Sequence, residues 1–184
     1  MIILVGASAS GKTEVAKLLK NKHGIVKAIT TTTRTIRPSE KDGVDYFFLG
    51  KDEFLALKEK GNFVETTCYN GNYYGCSKSQ VADDKVVIVD PNGLKSFLAL
   101  NNKNVVTFFL SAKETTREAR MRIRGDSEEN IAQRLKNDRV EFAPEKLNKT
   151  DFVIATDNLS LDEVAELVYK KYLEALKKEA KSRT

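Results

Sequence analysis

The residues best suited to chemistry stand near the start of the chain, where residues 6–13 read GASASGKT. This segment matches the P-loop pattern G-x-x-x-x-G-K-[ST] at every fixed position. Glycines let backbone N–H groups close around a phosphate. Lys12 can then reach the β- and γ-phosphates, and the Thr13 hydroxyl can ligate Mg²⁺. Residues 6–13 therefore predict a nucleoside triphosphate site.

The flanking sequence supplies the two elements that must position this loop. Residues 1–5 are an apolar run typical of a buried parallel strand, and residues 13–22 repeat apolar side chains at helical spacing. The N-terminus of such a helix favours a bound anion. The loop is thus predicted to connect a first strand to a first helix.

A second group of candidate binding residues follows the predicted second strand. Arg34 and Arg37, beside a proline, provide two guanidinium groups able to grip a second phosphate. Tyr46 and Tyr74 add hydroxyl donors, and Glu65 could accept two N–H groups from the edge of a base. Each residue also has an ordinary structural explanation, since tyrosines in strands usually pack and a single glutamate is usually solvated. Their presence in one short lobe favours a second anion site.

The composition describes one globular α/β domain of 184 residues with a net charge of +5. No apolar run reaches membrane-spanning length, and we expect no signal peptide. Cys68 and Cys76 are too far apart for a C-x-x-C pair, which predicts reduced thiols and a cytoplasmic protein. His23 is the only histidine. A histidine-based acid–base mechanism or a His-rich metal site is therefore not expected.

Apolar runs alternate with helical patterns along the rest of the chain. Strands are expected at 26–30, 44–49, 63–66, 72–75, 86–89, 105–110 and 152–154, with a polar loop at 31–38 and a hairpin turn at Asn70-Gly71. Helices are expected at 51–60, 91–100, 113–142 with a break at 125–127, and 161–176. This order predicts a doubly wound parallel sheet of five strands with two insertions.

The motifs of the second lobe resemble the guanylate kinase family. TTRTIRPSE at 32–40, followed by DGVDY at 42–46, looks like the family's segment for the nucleoside monophosphate, and GNYYG at 71–75 is similar to its most distinctive pentapeptide. RG at 124–125, DSEE at 126–129 and QRL at 133–135 resemble its mobile lid. The resemblance runs from the P-loop to the final helix and implies a single domain. Its core is 1–30, 77–112 and 148–184, with a small α+β lobe for the monophosphate at 31–76 and a helical lid at about 113–147.

The resemblance implies transfer of a phosphoryl group from ATP to GMP or dGMP, with Mg²⁺. The predicted ATP contacts are Gly6, Ala7, Ser8, Ala9, Ser10, Gly11, Lys12 and Thr13. The predicted GMP contacts are Thr30, Arg34, Arg37, Glu40, Tyr46, Glu65, Tyr74, Cys76 and Asp90. The predicted catalytic residues are Lys12, Arg34, Arg37, Arg120, Arg124 and Arg134, and the predicted metal ligands are Thr13 and Asp90. No catalytic base is needed, because a phosphate monoester has a second pKa of about 6.

Three positions depart from the family pattern. Ile88 replaces the first carboxylate of an Asp-x-Asp pair, Cys76 replaces a small hydroxyl residue, and Ala155-Thr156-Asp157 replaces an Asn-Asp pair after the last strand. A thiol is a weaker hydrogen-bonding group than a hydroxyl. The departures predict a nucleotide kinase with a weaker guanine preference than is usual in the family.

Other functions are consistent with parts of the sequence. A kinase of the same architecture could act on another nucleotide or on a phosphorylated sugar. A non-enzymatic interaction module of the family is a second alternative, although such modules generally have degraded P-loops and this loop is intact. Nucleic-acid binding is not expected, because the basic tail after residue 176 suits the solvated end of a helix. A monomer or a homodimer, without a membrane partner, is the expected form.

Overall fold

The computed structural model describes residues 1–38, 40–69 and 71–181 of the chain. Its strands are β1 (Ile2–Val5), β2 (Val26–Lys27), β3 (Thr31–Thr32), β4 (Phe47–Phe48), β5 (Phe63–Tyr69), β6 (Asn72–Ser77), β7 (Lys85–Val89), β8 (Val106–Ser111) and β9 (Phe152–Ala155). Its helices are α1 (Lys12–His23), α2 (Lys51–Glu59), α3 (Pro91–Ala99), α4 (Glu114–Ile123), α5 (Glu128–Glu141) and α6 (Leu161–Lys181).

The central sheet is parallel and has the strand order β2-β7-β1-β8-β9. All of β1 is buried, because helices cover both faces of the sheet. Ile2 and Leu4 pack in a core with α1 and α6, whereas Ile3 and Val5 pack in a second core with α3. The predicted five-stranded, doubly wound sheet is confirmed. Because β1 and β7 run in parallel side by side, the loops after both strands leave the sheet at the same edge.

A second, four-stranded sheet has the order β4-β3-β6-β5. Strands β5 and β6 form an antiparallel hairpin, and β3 pairs with β6 on one side and β4 on the other. The hairpin was predicted at its turn, where Gly71 has a φ of +76°. Asn70 of the predicted turn lies outside the described residues, as does Ser39 of the TTRTIRPSE motif.

The predicted strand boundaries need two corrections in this region. Strand β2 ends at Lys27 instead of residue 30, and the polar run after it contains the short strand β3. Thr31 and Thr32 are 4% and 0% exposed, and the Thr32 hydroxyl donates to the Tyr73 carbonyl at 3.1 Å. A buried strand built from hydrogen-bonded threonines does not show the apolar run by which buried strands are recognised. The predicted strand 44–49 is also shorter and contains only β4.

Helices α4 and α5 form a pair at one side of the central sheet. The predicted break at 125–127 is confirmed: Gly125 has a φ of +88°, and the Ser127 side chain accepts a hydrogen bond from the Asn130 N–H at 3.3 Å. Met121, Ile131 and Leu135 form the small core between the two helices. No helix in the described part of the chain combines the length and the apolar content of a membrane span.

Candidate active site

The P-loop connects β1 to α1 and is held closely against β8. At Gly6, an added Cβ would lie 2.3 Å from the Leu110 carbonyl oxygen, so only glycine fits there. Gly11 has a φ of +98° and precedes the first residue of α1. Ala9 has a φ of +58°, a left-handed conformation that costs an L-residue about 1 kcal/mol. The surrounding contacts must therefore hold Ala9 in place.

Lys12 lies across the loop that it belongs to. Its Nζ donates to the carbonyl oxygens of Gly6 at 2.5 Å and Ala7 at 2.8 Å, and to the Ser10 hydroxyl at 3.3 Å. Burial lowers the pKa of Lys12 from 10.5 to about 8, and nearby Asp138 opposes this shift. The ammonium group is thus placed among the loop oxygens, at the N-terminus of α1.

Of the three predicted lid arginines, the structure brings Arg120 to the P-loop. Its Nη1 donates to the Ala9 carbonyl at 3.2 Å and to the Thr156 hydroxyl at 3.0 Å, and its Nη2 donates to the Thr156 carbonyl at 2.6 Å. Thr156 is buried, and its hydroxyl also contacts the Ser10 carbonyl at 3.3 Å. Thr156 thus contacts both Arg120 and the loop.

Arg124 and Arg134 contact the same carboxylate. Arg124 Nε donates to Asp126 Oδ1 at 3.0 Å, and Arg134 Nε lies 3.8 Å from Asp126 Oδ2. The Arg124 guanidinium holds the pKa of Asp126 below its usual range. Both arginine side chains are about half exposed. In this arrangement the two cations, at the end of α4 and on α5, are both paired with the carboxylate that lies between the two helices.

The second sheet gathers several of the predicted acceptor residues around Arg34. Its Nη2 donates to Glu40 Oε1 at 2.7 Å, and the guanidinium carbon lies 5.6 Å from the Tyr46 ring centre and 5.7 Å from that of Phe48. The rings of Tyr46 and Tyr74 meet edge to face at 6.2 Å. These contacts fix the plane of the guanidinium, as recognition of a phosphate requires.

Glu40 also orders the backbone next to the second arginine. Its Oε2 accepts from the Arg37 N–H at 2.9 Å, and its contacts with Arg34 and Arg37 lower its pKa. The Arg37 side chain is exposed. Thr30, the predicted hydroxyl contact, is half-buried, and its carbonyl accepts from the Phe47 N–H at 2.9 Å.

Glu65 and Cys76 lie opposite each other on the hairpin. Glu65 Oε1 accepts from the Cys76 N–H at 3.0 Å, and burial raises the pKa of Glu65. Burial, with Glu65 nearby, raises the pKa of the Cys76 thiol to about 12, so the thiol is protonated at neutral pH. Asp90, which follows β7, adds to the raised pKa of Glu65. The hairpin thus places the Glu65 carboxylate beside the Cys76 thiol.

Asp90 joins the central sheet to α3. Its Oδ1 accepts from the Gly93 N–H at 2.7 Å and so caps the helix. Beside it, a cavity of about 430 Å³ is lined by Asp90, Pro91, Asn92, Lys95, Glu141, Glu145, Lys146 and Asn148. This open, polar cavity therefore lies between α3 and the end of α5.

The oxygen donors available at the loop suit a magnesium ion that is held mostly by phosphate and water. The exposed Thr13 hydroxyl and the exposed Asp90 carboxylate lie after β1 and β7, at the same edge of the sheet. Mg²⁺ prefers such oxygens and commonly takes one or two protein ligands beside substrate phosphates. Among the described residues there is no cluster of three His, Cys, Asp or Glu side chains that could hold a metal by itself. Ile88, where the family has a carboxylate, packs against the core on the α1 face.

Sequence reasoning missed two residues that contact the loop. Asp138 and Arg117 form a buried ion pair at 2.5 Å, and both contact Ser8. A signal was present in the spacing: on α5, Asp138 continues the apolar face of Ile131 and Leu135. A charged residue on an apolar helix face is rarely buried without a partner.

The P-loop between the first parallel strand and the first helix, with arginine and tyrosine side chains gathered on a separate sheet, is typical of a P-loop nucleotide-binding α/β protein. The sequence profile of the guanylate kinase family matches residues 1–176. The guanylate kinase of Fusobacterium nucleatum subsp. nucleatum is 36% identical over 170 residues, which cover 86% of this chain and 89% of that protein. The guanylate kinase of Anaplasma phagocytophilum (strain HZ) is 34% identical over 170 residues, covering 86% and 80%. The chain belongs to the guanylate kinase family.

The fold agrees with this assignment. The crystal structure of guanylate kinase from Anaplasma phagocytophilum superposes with a TM-score of 0.62 at 27% identity, covering 92% of this chain and 82% of that one. A protein of unknown function from Eubacterium ventriosum shares the fold, with a TM-score of 0.55 at 18% identity.

Proposed function

We propose that the protein transfers the γ-phosphoryl group of ATP to GMP or dGMP, giving ADP and GDP or dGDP. The observation that carries this proposal is the arrangement of two anion-binding groups, one on each sheet. Lys12 and the P-loop lie on the central sheet, whereas Arg34, Tyr46 and Tyr74 lie on the second sheet. The relatives named guanylate kinase support GMP as the acceptor and do not favour the alternative functions.

The donor phosphates bind at the loop. The backbone N–H groups of the loop and the N-terminus of α1 receive the phosphate oxygens, and Lys12 turns from the loop carbonyls to the β- and γ-phosphates. Thr13, with Asp90 nearby, would hold Mg²⁺, which would offset the negative charge of the phosphates. Arg120 is already at the loop, whereas Arg124 and Arg134 approach as the lid closes.

The acceptor phosphate binds at the second sheet. Arg34 and Arg37 pair with its oxygens, the hydroxyls of Tyr46 and Tyr74 donate to it, and Glu40 keeps Arg34 oriented. The attacking oxygen is already ionised at neutral pH, so the protein supplies alignment and charge compensation instead of a base. Closure of the lid excludes water and limits hydrolysis of ATP.

Glu65 reads the base. Its carboxylate accepts the N1 and N2 hydrogens of guanine, and Thr30, Cys76 and Asp90 line the same acceptor site. The half-buried position of Glu65 makes this contact discriminating, because a base without those hydrogens leaves the carboxylate with the Cys76 N–H as its donor and no donor from the base. The exchange of a hydroxyl for the Cys76 thiol weakens one polar contact, and we expect a reduced preference for guanine on this ground.

A coupled assay of ADP formation tests the reaction with ATP and GMP, dGMP, AMP or UMP. We expect GMP and dGMP to be the preferred acceptors, and equal rates with all four nucleotides would contradict the proposal.

Glu65→Gln should lower kcat/KM for GMP about 100-fold, while kcat/KM for AMP should change less than about threefold. Lys12→Ala should abolish turnover. Full turnover by that variant would exclude the P-loop as the donor site.

The remaining parts of the proposal concern the setting in which the enzyme works. The protein acts in the cytoplasm as a monomer or a homodimer, with nucleotides as its partners and neither nucleic acid nor membrane. Light scattering on the purified protein measures its mass against 20.6 kDa for one chain. A larger, discrete assembly would contradict this part of the proposal.

A further inference from the structure

A buried ion pair of the lid holds one residue of the P-loop at three atoms. Asp138 Oδ2 accepts from the Ser8 N–H and Asp138 Oδ1 accepts from the Ser8 hydroxyl, both at 3.1 Å. Arg117 Nη1, which contacts Asp138 at 2.5 Å, also donates to the Ser8 carbonyl at 3.4 Å. Arg117 lies on α4 and Asp138 on α5, so both lid helices meet at Ser8.

The Arg117–Asp138 pair is buried, so its charges depend on partners within the protein. The side chains of Arg117 and Asp138 are 8% and 7% exposed. A carboxylate at such a position needs a cation and hydrogen-bond donors to offset the loss of hydration. Asp138 obtains the cation from α4 and two donors from Ser8, so the contact with the loop helps to satisfy the buried charge.

The residue after Ser8 needs this support. Ala9 has a φ of +58°, its carbonyl accepts from Arg120, and its side chain packs against Met121, Ile131 and Leu135. The lid helices therefore hold both sides of the Ser8–Ala9 peptide. This peptide begins the turn whose following N–H groups face a bound phosphate.

The charges of the pair suit a site for a triphosphate. Asp138 favours the charged form of Lys12, and Arg117 disfavours it. A lone carboxylate beside the loop would repel phosphate, whereas the Arg117–Asp138 pair provides hydrogen-bond acceptors without adding a net negative charge. The pair can thus fix the loop without weakening anion binding.

We propose that Asp138, held by Arg117, is a positioning residue that fixes the phosphate-binding conformation of the P-loop through Ser8 and joins the loop to the lid helices. The choice of ATP as the bound triphosphate rests on the proposed function. The role of Asp138 is to orient the loop, and it touches no substrate.

Titration calorimetry with Mg²⁺ and ATP, without an acceptor, tests the role directly. Asp138→Ala should raise the Kd for ATP about tenfold and leave the Kd for GMP within about twofold, because the GMP site lies on the other sheet. Asp138→Asn keeps an oxygen that can accept from Ser8, and it should raise the Kd for ATP only about threefold. An equal loss of affinity for ATP and GMP would indicate a purely structural role and overturn the proposal.

Arg139→Ala is the matched control. Arg139 on α5 pairs with Glu114 on α4 at an exposed position, so it links the same two helices without contacting the loop. The control should keep the Kd for ATP within about twofold of the wild-type value. A tenfold loss in this variant would show that any link between α4 and α5 has the same effect, and the specific role of Asp138 would be wrong.

The double variant Arg117→Met/Asp138→Leu separates positioning from stability. An apolar pair can replace a buried ion pair with little loss of stability. We expect a melting temperature near that of the wild type together with the tenfold loss of ATP affinity. Wild-type ATP affinity in the folded double variant would overturn the proposal.

A double-mutant cycle of Ser8 and Asp138 tests the contact without replacing the whole ion pair. Ser8→Ala removes only the hydroxyl contact and should weaken ATP binding about threefold. In the double variant Ser8→Ala/Asp138→Asn, the Kd for ATP should rise by less than the product of the two single fold-increases, because both substitutions act on one contact. Fully multiplicative effects would mean that Ser8 and Asp138 act independently, against the proposal. ATP binding without an acceptor keeps these outcomes separate from any failure of GMP phosphorylation.

Discussion

At the scale of single residues, the position of Lys12 predicts a pH dependence of nucleotide binding. Its ammonium group is surrounded by loop oxygens, and burial lowers its pKa to about 8. A bound triphosphate favours the charged form of Lys12 and raises its pKa again. Above pH 8, binding of ATP must therefore be accompanied by uptake of a proton.

The Kd for ATP should rise about tenfold between pH 7 and pH 9, with about 0.9 proton taken up at pH 9. Calorimetry in buffers of different ionisation enthalpy measures both quantities. Lys12→Arg provides the control, since its guanidinium does not titrate in this range and its Kd should stay constant with pH. The same rise in Lys12→Arg would assign the pH dependence to another group.

The lowered pKa of Lys12 also has a consequence for stability. Between the folded value of about 8 and the unfolded value of 10.5, the unfolded chain binds more protons than the folded protein. The contribution of Lys12 to the free energy of unfolding should therefore become more favourable as the pH rises through this window. Below pH 8 both states are protonated, and the full cost of burying the charge is present.

The role of a single residue was predictable when its partners lie close to it in the sequence. The P-loop is recognisable because backbone and side chains within eight consecutive positions create the site. Asp138 was missed because its partner Ser8 is 130 positions away in the sequence. Arg124 and Arg134 were predicted as catalytic residues, and that role stays a prediction. Their shared contact with Asp126 depends on how α4 and α5 pack, so the sequence motif alone does not predict it.

At the scale of elements, the β5–β6 hairpin places Glu65, and a close contact in it can be tested. A Cβ added at Gly75 would lie 2.9 Å from the Glu65 carbonyl oxygen and 3.1 Å from side-chain atoms of Phe63 and Thr66. The backbone oxygen cannot move aside as a flexible side chain could. The two strands must therefore separate to admit a methyl group.

Gly75→Ala should lower the free energy of unfolding by about 1–3 kcal/mol, as measured by urea denaturation, and weaken GMP binding by displacing Glu65. Gly50→Ala is the matched control on the same lobe, since nothing lies within 4 Å of the added Cβ and its φ is −66°. Because Gly50 is the N-cap of α2, this control should still lower the free energy of unfolding slightly, by less than about 1 kcal/mol. Equal destabilisation by the two substitutions would contradict the steric explanation.

The elements themselves were predictable where burial is achieved by apolar residues. Strand β1 and helix α1 follow the expected pattern closely. Strand β3 was missed because it is buried through hydrogen-bonded threonines. Strand β2 was made too long because the apolar pattern continues to Ile29, whose N–H donates to the Gln80 side chain instead of a neighbouring strand. Apolar residues form a pattern in the sequence that predicts burial, whereas hydrogen bonds between distant strands produce no such pattern.

At the scale of the whole molecule, the two sheets are joined by two chain crossings that contact each other. The first crossing runs from β2 to β3 and the second from β6 to β7. The Ile29 N–H of the first donates to the Gln80 Oε1 of the second at 3.0 Å. The crossings thus lie side by side, while Val64 of β5 and Cys76 of β6 pack in the core beside α3. The proposed division into a core and a monophosphate lobe stays a prediction.

Hydrogen exchange should show this division. ATP alone should protect the P-loop, α4 and α5, whereas GMP alone should protect the four-stranded sheet around β6. Mass spectrometry of peptides from each part measures the protection. Equal protection of both parts by either nucleotide would show that they respond as a single unit, and the predicted division would be wrong.

The shared contact of Arg124 and Arg134 with Asp126 has a consequence for turnover. These are two of the cations that are proposed to receive a phosphate, and they already share an oxygen partner within the protein, Asp126. Nucleotide binding at these positions is then an exchange of one partner for another, so its net gain in free energy is small. The same exchange runs in reverse when products leave. Internal carboxylates that take back the arginines make ADP and GDP easier to release, and they favour rapid turnover over tight binding.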